Sequence, residues 1–474
     1  MKIVVATSIG KNREGLRYTL FPSRWSMASQ FHADAYYPYD LAYLSSILKQ
    51  ETPHQVKMID GNFLGYTINK YRDVLIEQKP DLIIMEADSL TYLEDMEMLR
   101  MVKETIPVQL LLCGPYPTYA PEKTLQDGAD WVALGEFQWA VANLIKNGMD
   151  AGTPDIFPNG RAELFDIDQL PLPENHDISR REYSRIYACE YRELEVFPTR
   201  GCPVNCNYCV ARNVYYDSPK FRVRNVNAVI EEIWYLKNRY PELEGIFFNE
   251  ESHTSNHAYT LELCEALQKN GPPNFHYECM TNYSALDRQL LEAMKAAGYY
   301  KVRIGIETMD ADNHDKIFAG KWKKDTNRMM QVLTDCRDLG IKVYGTFTVG
   351  TYGASAISDL QTLENVKKLY HENLLQDFQV SINTPMPGTP FYDIVKENGW
   401  LVTDDISKQN GMAGSVVSFP DYSKEQIEEV FCRFTEFRHN SFLQNREKGI
   451  NYSMYDQQWV SRVLQVTQEC ANYD

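Results

Sequence analysis

Three cysteines within eight residues constrain this chain more than any other feature of its sequence. Cys202, Cys206 and Cys209 occur in the run TRGCPVNCNYCVAR. Thiolates at this spacing on a loop can converge on one soft metal centre, because backbone turns between them point the sulfur atoms inward. A structural zinc site is the alternative, but it needs a fourth ligand, and neither Cys189 nor His253 stands at zinc-finger spacing. Three thiolates on a four-iron cluster leave one iron open, and an open metal position is where a substrate or cofactor binds.

The first part of the chain alternates short apolar strands with amphipathic helical segments. The predicted strands are KIVVAT, VKMID, DLIIME, VQLLLCG and DWVALG. Strands that alternate with helices in this way form βαβ units and a parallel, doubly wound, Rossmann-like sheet. Ligands on such sheets bind beyond the carboxyl ends of the strands. We therefore expect a domain over residues 1–150 whose candidate binding loops follow these five strands.

A second series of strands follows a segment of different character. Residues 151–192 contain several prolines and little periodicity, which indicates a linker. LEVFPTR then begins a set of six predicted strands, interrupted by five helical segments. This pattern predicts a partial (βα)6 TIM-type barrel over residues 193–392, in which function collects at the carboxyl ends of the strands. Residues 393–474 predict a mainly helical C-terminal region, so that the fold class is α/β throughout the first two domains.

Composition and charge exclude several classes of function. The chain has 474 residues, of which 44% are hydrophobic, and no apolar run approaches the roughly 18 to 20 residues that a membrane span needs. Ten cysteines in a chain of this length do not make a disulfide scaffold, and an oxygen-sensitive cluster requires reduced thiols, which predicts a cytoplasmic location. A net charge of −17 opposes binding to a phosphate backbone, so nucleic acid is not expected as a partner.

The cysteine motif, with Tyr208 just before its last cysteine, resembles the signature of the radical S-adenosylmethionine (radical SAM) superfamily. In that family a [4Fe-4S] cluster is held by the three cysteines, and its open iron chelates the amino and carboxylate groups of S-adenosylmethionine. An electron from the cluster then cleaves the sulfonium to give a 5'-deoxyadenosyl radical. The resemblance therefore implies a [4Fe-4S] cluster and S-adenosylmethionine as cofactors, with Tyr208 in the cofactor site.

The same resemblance implies further contacts to S-adenosylmethionine at the strand ends of the barrel. After the second barrel strand Asn249 stands where the family often has an aspartate, so Glu250 is favoured as the acceptor for the amino group. Glu307, in GIET, resembles the family's ribose and sulfonium motif, and Gly350, in TFTVG, resembles its adenine-side motif, where a glycine permits close backbone approach. Asn383, at the start of NTPMPGTP, is a candidate for one more polar contact to the cofactor.

The first domain resembles the cobalamin-binding domain of the anaerobic-cyclase and class B methyltransferase branch of the superfamily. The resemblance is carried by FPSRW (21–25), YYPYDLAYLSSIL (36–48), CGPYPTYAPE (113–122) and DWVALGE (130–136). In that branch, loops at the positions of Ser89, Gly114 and Gly135 with Glu136 cradle the corrin and its nucleotide tail. The resemblance implies cobalamin as a third cofactor, bound at these four residues.

Two departures from the family pattern bear on cobalamin binding. Relatives have two glycines where this chain has Cys113 and Gly114, and they have G-E-G-E where it has GEFQ, ending in Phe137 and Gln138. Bulkier side chains narrow the groove for the nucleotide tail. An empty, vestigial first domain therefore remains an alternative.

These features together predict a cobalamin-dependent radical SAM enzyme, a C-methyltransferase that acts on an unactivated carbon through a 5'-deoxyadenosyl radical and methylcobalamin. One alternative keeps the cluster and the barrel but performs cyclisation, ring contraction or carbon–carbon bond formation without methyl transfer. A second alternative is a non-catalytic corrinoid or iron–sulfur carrier. The expected partners are a small-molecule, lipid or peptide substrate and an electron donor such as flavodoxin or ferredoxin. No side chain is assigned as an acid, base or nucleophile, because the cofactors supply the chemistry.

Overall fold

Two parallel β-sheets organise the chain. The structure, a computed structural model, describes residues 1–11, 19–20, 28–29, 36–148, 155–157, 165–183, 189–317, 325–411 and 414–447. These residues form two compact units. The first unit takes the described residues of 1–183, 208–217 and 385–411, and the second takes those of 189–207, 218–384 and 414–447. The motif at residues 21–25 and the C-terminal residues 448–474 lie outside the described part of the chain.

The sheet of the first unit confirms the predicted doubly wound architecture. Its parallel strands are β1 (Lys2–Ala6), β2 (Gln55–Ile59), β3 (Leu82–Glu86), β4 (Gln109–Cys113), β5 (Trp131–Ala133) and β6 (Asp155–Phe157). They are ordered β2-β1-β3-β4-β5-β6. β2 and β3 therefore lie on opposite sides of β1. In doubly wound sheets this reversal of strand order places a crevice between the carboxyl ends of the two strands, here β1 and β3.

Amphipathic helices follow the strands of this sheet as the sequence predicts. They are α1 (Tyr39–Glu51), α2 (Ile68–Gln78), α3 (Tyr92–Thr105), α4 (Pro115–Tyr119), α5 (Pro121–Gln126) and α6 (Gln138–Asn147). Local sequence fixes where α2 begins: the side chain of Thr67 accepts a hydrogen bond from Lys70 N at 3.2 Å and so caps the helix. The strands between the helices bury their apolar side chains almost completely, and this burial is the main stabilising term.

The segment predicted as a linker, residues 151–192, belongs to the first unit wherever it is described up to Tyr183. Asp155–Phe157 forms β6 and pairs with β5. Further along, Asp177 accepts hydrogen bonds from Lys49 Nζ and Lys57 Nζ, each at 2.7 Å, and buried Tyr183 donates to Asp60 at 2.8 Å. These ion pairs and hydrogen bonds hold an aperiodic segment in place, which explains why periodicity did not reveal it.

The sheet of the second unit confirms the predicted partial barrel. Its parallel strands are β7 (Glu193–Val196), β8 (Gly245–Phe248), β9 (His276–Asn282), β10 (Tyr299–Glu307), β11 (Lys342–Val349) and β12 (Asp377–Ile382). Each strand pairs with its neighbours in chain order. The intervening helices are α7 (Val226–Arg239), α8 (His257–Asn270), α9 (Arg288–Ala297), α10 (Ala311–Ile317), α11 (Thr326–Leu339) and α12 (Ala356–His371).

The C-terminal part of the described chain is helical, as predicted. It contains α13 (Pro390–Glu397) and α14 (Lys424–Glu447), of which α13 belongs to the first unit and α14 to the second. Phe434 of α14 contacts the rings of Phe347 in β11 and Phe378 in β12. Across the described ranges, none of the helices combines the length and the apolar character that crossing a membrane requires.

The two faces of the second sheet differ in chemistry. Phe248, Tyr277 and Tyr299 lie on the outer face, which the helices cover, and their rings are 5.6 to 5.9 Å apart. Side chains alternate along a strand, so the neighbours of these residues lie on the opposite, inner face. Phe247 and Arg303 mark the inner face, since the guanidinium of Arg303 lies 4.4 Å from the Phe247 ring centroid. The inner face is rich in charged and amide side chains.

Candidate functional site

The segment that leads into the three cysteines is held by a close backbone approach. Thr199–Arg200 pairs antiparallel with Arg222–Val223. Gly201 follows with φ +93°, and a Cβ atom at this position would lie 2.1 Å from the carbonyl oxygen of Lys220. Only glycine satisfies both the positive φ and the contact. The sequence TRG before Cys202 therefore fixes where the cysteine loop begins.

The rest of the loop is anchored on each side by hydrogen bonds. In the second unit, the backbone N–H and the side-chain amide of Asn207 donate to the carbonyls of Ile317 and Lys316 at 2.9 and 3.2 Å. In the first unit, the backbone N–H and the amide of Asn213 both donate to the carbonyl of Cys209, at 3.1 and 2.7 Å. Tyr208 is half-buried and lies between these anchors. The loop geometry is thus set by hydrogen bonds of Asn207 and Asn213 to backbone carbonyl groups.

The three motif cysteines differ from the buried cysteines of the chain in exposure. Cys202, Cys206 and Cys209 are half-buried, whereas the following five are buried: Cys113, Cys189, Cys264, Cys279 and Cys336. Burial raises the pKa of the Cys264 and Cys336 thiols to about 12, so they stay protonated at neutral pH. A metal ligand must be a thiolate. Accessibility therefore separates the motif cysteines as the candidate cluster ligands.

Glu307 lies at the carboxyl end of β10 on the inner face, in a conformation that requires support. Its φ is +61°, which costs energy for a non-glycine residue. Thr346 Oγ1 donates to Oε1 at 3.4 Å and Thr348 Oγ1 donates to Oε2 at 3.3 Å. A Cβ atom on Gly305 would lie 2.9 Å from Oε1, so the missing side chain of Gly305 makes room for the carboxylate. The structure thus gives the predicted carboxylate a defined orientation.

Asn383 supplies an amide on the inner face just beyond β12. Its backbone N–H donates to Val349 O at 2.8 Å, while its side chain is buried and Nδ2 has no hydrogen-bond partner. A buried donor without a partner costs about 1 to 3 kcal/mol. A ligand with an acceptor at this position would remove that cost. Asn383 therefore fits its predicted role as a polar contact to a cofactor.

Glu250 differs from Glu307 in its surroundings. Its side chain is fully buried and contacts His253, whose ring stacks on Phe248 of the outer face. The preceding residue, Asn249, donates instead to Glu195 Oε1 of β7 at 2.6 Å. The carboxylate of Glu250 is thus held by His253, and its contact to S-adenosylmethionine stays a prediction.

Gly350 has a packing reason to be glycine that involves no cofactor. It has φ +68°, and a Cβ atom would lie 2.8 Å from Ile427 of α14. Its N–H donates to Asp359 Oδ2 at 2.9 Å, and Tyr422 donates to the same oxygen at 2.9 Å. These contacts account for the glycine within the second unit, and a role of Gly350 beside adenine stays a prediction.

Sequence reasoning missed a charged cluster on the inner face at the amino ends of the strands. Glu278 binds Arg303 and Lys301, each at 2.5 Å, and accepts from the thiol of Cys189 at 3.0 Å. These groups are all buried. In KVRIGIE, charged residues alternate with apolar ones. This period of two along β10 is the sequence signal that could have revealed Lys301 and Arg303 on one face of the strand. With this cluster near the amino ends of the strands and Glu307 at the carboxyl end of β10, the inner face carries polar groups along its whole length.

Glu193 is a second buried carboxyl group close to Glu278. It is fully buried on β7, and burial together with Glu278 raises the pKa of its carboxyl to about 8. Because the folded chain holds a proton that the unfolded chain releases near pH 4.5, the free energy of unfolding falls as the pH rises from about 5 to about 8. Glu193→Gln removes this titration. We expect the variant to exceed the wild type in stability at pH 8.5 by about 2 to 4 kcal/mol, with a smaller difference at pH 5.

Thermal unfolding measured between pH 5 and 9 checks this expectation. Glu364→Gln is the matched control, because Glu364 is exposed on α12 and pairs only with Lys367 at the surface. The control should follow the wild-type pH dependence. Parallel curves for Glu193→Gln and the wild type would show that Glu193 does not carry the proton.

Ser89 follows β3 at the crevice of the first unit and is one of the residues predicted to bind cobalamin. Ser89 is buried and its hydroxyl has no hydrogen-bond partner. Its neighbour Asp88 is also buried, which raises the pKa of that carboxyl to about 6. Ser8 follows β1, and its hydroxyl oxygen lies 2.6 Å from the hydroxyl oxygen of Thr91. The carboxyl ends of β1 and β3 therefore present polar groups in the crevice where doubly wound sheets bind ligands.

The two predicted glycines of the first unit both have positive φ and close neighbours. A Cβ atom on Gly114 (φ +100°) would lie 2.8 Å from Glu86 Cγ, and one on Gly135 (φ +61°) would lie 2.8 Å from the carbonyl of Tyr215. Gly135 also donates to Thr118 Oγ1 at 2.9 Å. Larger residues at either position would displace these loops. Both glycines thus shape loops at the edge of the sheet, and their role beside cobalamin stays a prediction.

The bulkier residues near these glycines are accommodated inside the first unit. The thiol of Cys113 points at Met85 O, 3.5 Å away, and Phe137 is fully buried. Gln138 is fully buried as well, and its amide donates to Asp40 at 2.5 Å and to Tyr215 at 3.2 Å. Glu136 is buried beside them. The departures from the family pattern are therefore absorbed by packing within the unit.

Comparison with known proteins agrees with this geometry. Residues 196–366 match the family described as the Radical SAM superfamily. An uncharacterised methyltransferase of Pyrococcus horikoshii is 23% identical over 414 residues, which cover 83% of this chain and 85% of the relative. The anaerobic magnesium-protoporphyrin IX monomethyl ester cyclase of Synechocystis is 22% identical over 74% of this chain and 71% of its own length.

Two solved structures share the fold over most of the chain. The cobalamin-dependent radical enzyme OxsB, with aqua-cobalamin bound, aligns with a TM-score of 0.67 and 15% identity over 98% of this chain and 72% of that protein. The methyltransferase TsrM of Kitasatospora setae, with cobalamin and a [4Fe-4S] cluster bound, aligns with a TM-score of 0.64 and 15% identity over 84% and 75% of the two chains. The chain therefore contains a domain of the Radical SAM superfamily over residues 196–366.

Proposed function

We propose that this protein is a cobalamin-dependent radical SAM enzyme that transfers a methyl group to an unactivated carbon. The observation that carries the proposal is the occurrence, in one chain, of a radical SAM cysteine motif and a doubly wound unit whose crevice holds the polar and glycine positions of a cobalamin domain. When bound, the cluster supplies the electron that cleaves S-adenosylmethionine, and cobalamin carries the methyl group.

The cysteine loop and residues of the second unit are proposed to hold the cluster and S-adenosylmethionine. Cys202, Cys206 and Cys209 are the proposed cluster ligands, with Tyr208 beside them. Glu307 accepts hydrogen bonds from polar groups of S-adenosylmethionine, in an orientation that its two threonine contacts maintain. The other residues proposed to contact S-adenosylmethionine are Glu250, Gly350 and Asn383. The buried and unpartnered amide of Asn383 supports this assignment, because a cofactor acceptor would satisfy it.

The residues proposed to hold cobalamin lie in the first unit. Ser89 donates from its hydroxyl, Gly114 and Gly135 leave room at the sheet edge, and Glu136 lies next to Gly135. The unpartnered hydroxyl of Ser89 supports the assignment in the same way as the amide of Asn383. The crevice between β1 and β3 is the general ligand position of this fold, which adds independent support.

Cobalt retention tests the cobalamin part of the proposal. The full-length protein is reconstituted anaerobically with iron, sulfide and hydroxocobalamin and is then desalted. We expect about one cobalt per chain and a corrin absorption band beside the broad absorption of the cluster. Gly135→Leu introduces a side chain against the carbonyl of Tyr215 and should retain little cobalt, with its iron content unchanged. Wild-type protein that keeps its iron but no cobalt would overturn this part.

The product ratio tests methyl transfer itself. Methyl transfer to substrate gives S-adenosylhomocysteine and 5'-deoxyadenosine in comparable amounts. The alternative, radical chemistry without methyl transfer, gives 5'-deoxyadenosine alone, and the similarity to an anaerobic cyclase favours it as second candidate. With S-adenosylmethionine that carries a deuterated methyl group, we expect a substrate product heavier by the labelled methyl. Formation of 5'-deoxyadenosine with no methylated product and no S-adenosylhomocysteine would move the assignment to the alternative.

The substrate class and the electron donor are part of the proposal. Small molecules, including tetrapyrroles and amino acids, are favoured first, because related or similarly folded proteins act on a porphyrin ester or bind tryptophan. Lipid and peptide substrates form the second group to assay. A reduced flavodoxin or ferredoxin would supply the electron, and a reducing compartment such as the cytoplasm suits an exposed thiolate cluster.

A further inference from the structure

A buried chain of three side chains lies behind the carboxylate of Glu250 in the second unit. Glu250 Oε1 is 2.6 Å from His253 Nδ1, and His253 Nε2 is 2.8 Å from the hydroxyl of Tyr299. All three side chains are almost completely buried, at 0% to 1% exposure. We refer to these residues as the Glu250–His253–Tyr299 array. The radical SAM motif does not require a histidine at this position, and nothing described above uses one.

The array has a definite direction of hydrogen bonding. Burial raises the pKa of Tyr299 far above its ordinary value, so the hydroxyl keeps its proton and can donate to Nε2. A neutral imidazole has one donor and one acceptor nitrogen, and Nδ1 then carries the proton that it donates to Glu250. Tyr299 therefore selects the tautomer of His253, as a carboxylate or carbonyl does for a metal-ligating histidine.

Packing fixes the ring of His253 as firmly as its hydrogen bonds do. The ring stacks on Phe248 with a centroid distance of 4.7 Å and an interplanar angle of 8°. The backbone carbonyl of His253 accepts from Thr260 Oγ1 of α8 at 3.4 Å. The imidazole thus cannot rotate without disturbing the outer-face core. It provides a rigid donor for the carboxylate of Glu250.

The two oxygens of Glu250 have different environments. Oε1 accepts from His253 and from Thr199 Oγ1, the latter at 3.3 Å. Oε2 is fully buried and has no hydrogen-bond partner. Leaving a buried carboxylate oxygen without a donor is costly, so the arrangement points to a donor supplied from outside the chain. Thr199 lies three residues before Cys202, which connects the same carboxylate to the start of the cysteine loop.

We propose that His253, supported by Tyr299, is a positioning residue that holds Oε1 of Glu250 so that Oε2 accepts the ammonium group of S-adenosylmethionine. This inference rests on the proposed function, since it requires that the chain binds S-adenosylmethionine. An ammonium group is a strong match for a buried carboxylate oxygen, because a charge-assisted hydrogen bond compensates the desolvation of both groups. His253 does not touch the cofactor in this arrangement.

Two substitutions of His253 separate its two hydrogen bonds. His253→Asn places an amide donor near the position of Nδ1 and keeps the bond to Glu250, while it loses the bond to Tyr299. His253→Gln reaches toward the position of Nε2 and keeps the bond to Tyr299, while it leaves Glu250 without its main donor. The pair is therefore a matched test at one position. A purely structural role for His253 would make both variants similar.

The probe is a comparison of S-adenosylmethionine with its desamino analogue, which lacks the ammonium group. Dissociation constants are measured by anaerobic equilibrium dialysis on reconstituted full-length protein. We expect the wild type to prefer S-adenosylmethionine by about tenfold or more, the equivalent of one charge-assisted hydrogen bond. His253→Gln should lose most of this preference by weakening S-adenosylmethionine alone. His253→Asn should keep it.

Several outcomes would overturn the inference. A His253→Gln variant that binds both compounds equally weakly, or one that keeps the wild-type preference, excludes a positioning role toward the ammonium group. If His253→Gln loses its iron, Tyr299→Phe replaces it in the test. Tyr299→Phe removes the hydroxyl that fixes the tautomer of His253 and should reduce the preference for S-adenosylmethionine over the desamino analogue about threefold or more. An unchanged preference in Tyr299→Phe would then overturn it. A wild-type protein with full iron content that binds neither compound would instead refute the proposed function.

Discussion

Replacing Cys206 by alanine is expected to abolish both the cluster and the cleavage of S-adenosylmethionine. Three thiolates hold the proposed cluster, and the loss of one leaves a second iron without a protein ligand, so that iron content should fall from roughly four atoms per chain to a small fraction of that. Formation of 5'-deoxyadenosine under reducing conditions should fall at least about a hundredfold, because no other described group supplies the electron. Cys202→Ala and Cys209→Ala should behave alike. Iron analysis after anaerobic reconstitution and chromatographic assay of 5'-deoxyadenosine check these expectations.

A cysteine outside the motif provides the matched control. Cys264 is buried in α8, where burial raises the pKa of its thiol to about 12, and alanine is a good helix residue. Cys264→Ala should therefore keep its iron and its activity, with a modest loss of stability from the small cavity. Equal loss of iron in the motif variants and in this control would contradict the assignment. Full activity in any motif variant would contradict it more directly.

Replacing Glu278 by glutamine is expected to cause the largest loss of stability among the substitutions considered. Glu278 pairs with both Lys301 and Arg303, and the three side chains are almost fully buried. Glutamine keeps the shape but removes the negative charge that pairs with these two buried cations. Breaking a buried ion pair from one side costs about 3 to 5 kcal/mol. The measurement is the thermal or denaturant midpoint of the cluster-loaded protein at pH 7.

The size of this effect is judged against an exposed ion pair. Glu364→Gln removes a surface partner of Lys367 and should cost about 0.5 kcal/mol or less. A triple variant that replaces Glu278, Lys301 and Arg303 by methionine should recover much of the stability lost by Glu278→Gln, because it removes the uncompensated charges together with their partner. If Glu278→Gln and Glu364→Gln cost the same, the buried charges are compensated by other groups, and the explanation fails.

Several elements could be predicted from the sequence because their signals are local. Five strands of the first sheet and all six of the second follow from apolar runs of strand length, and the βα alternation gives their parallel arrangement. The sixth strand of the first sheet, Asp155–Phe157, lies in the segment predicted as a linker. The cysteine motif occupies a single loop, so its spacing alone identifies the proposed cluster ligands. Glu307 was predicted because GIET resembles the ribose and sulfonium motif of the radical SAM family. The threonines that orient it lie on the adjacent strand and were not predicted.

Other features depend on contacts between residues far apart in the sequence. The segment over 165–183 has no periodicity, yet Asp177 binds Lys49 and Lys57 of the first unit. Gly350 was assigned to a cofactor from its motif, but its Cβ position is filled by Ile427 of α14, 77 positions later in the sequence. Only the folded chain shows which neighbour a glycine accommodates. For the same reason, the run NEES does not show that the side chain of Glu250 contacts His253.

The amino-acid sequence by itself determined the two-sheet architecture and the radical SAM cysteine motif, because strand length, helix amphipathicity and cysteine spacing are properties of consecutive residues. The tertiary structure decided which charges meet on the inner face, which glycine serves packing, and that His253 and Tyr299 stand behind Glu250. These outcomes depend on the register between strands, and a shift of one residue reverses the face on which every side chain of a strand lies. Register is set by the packing of the whole sheet and not by any one segment.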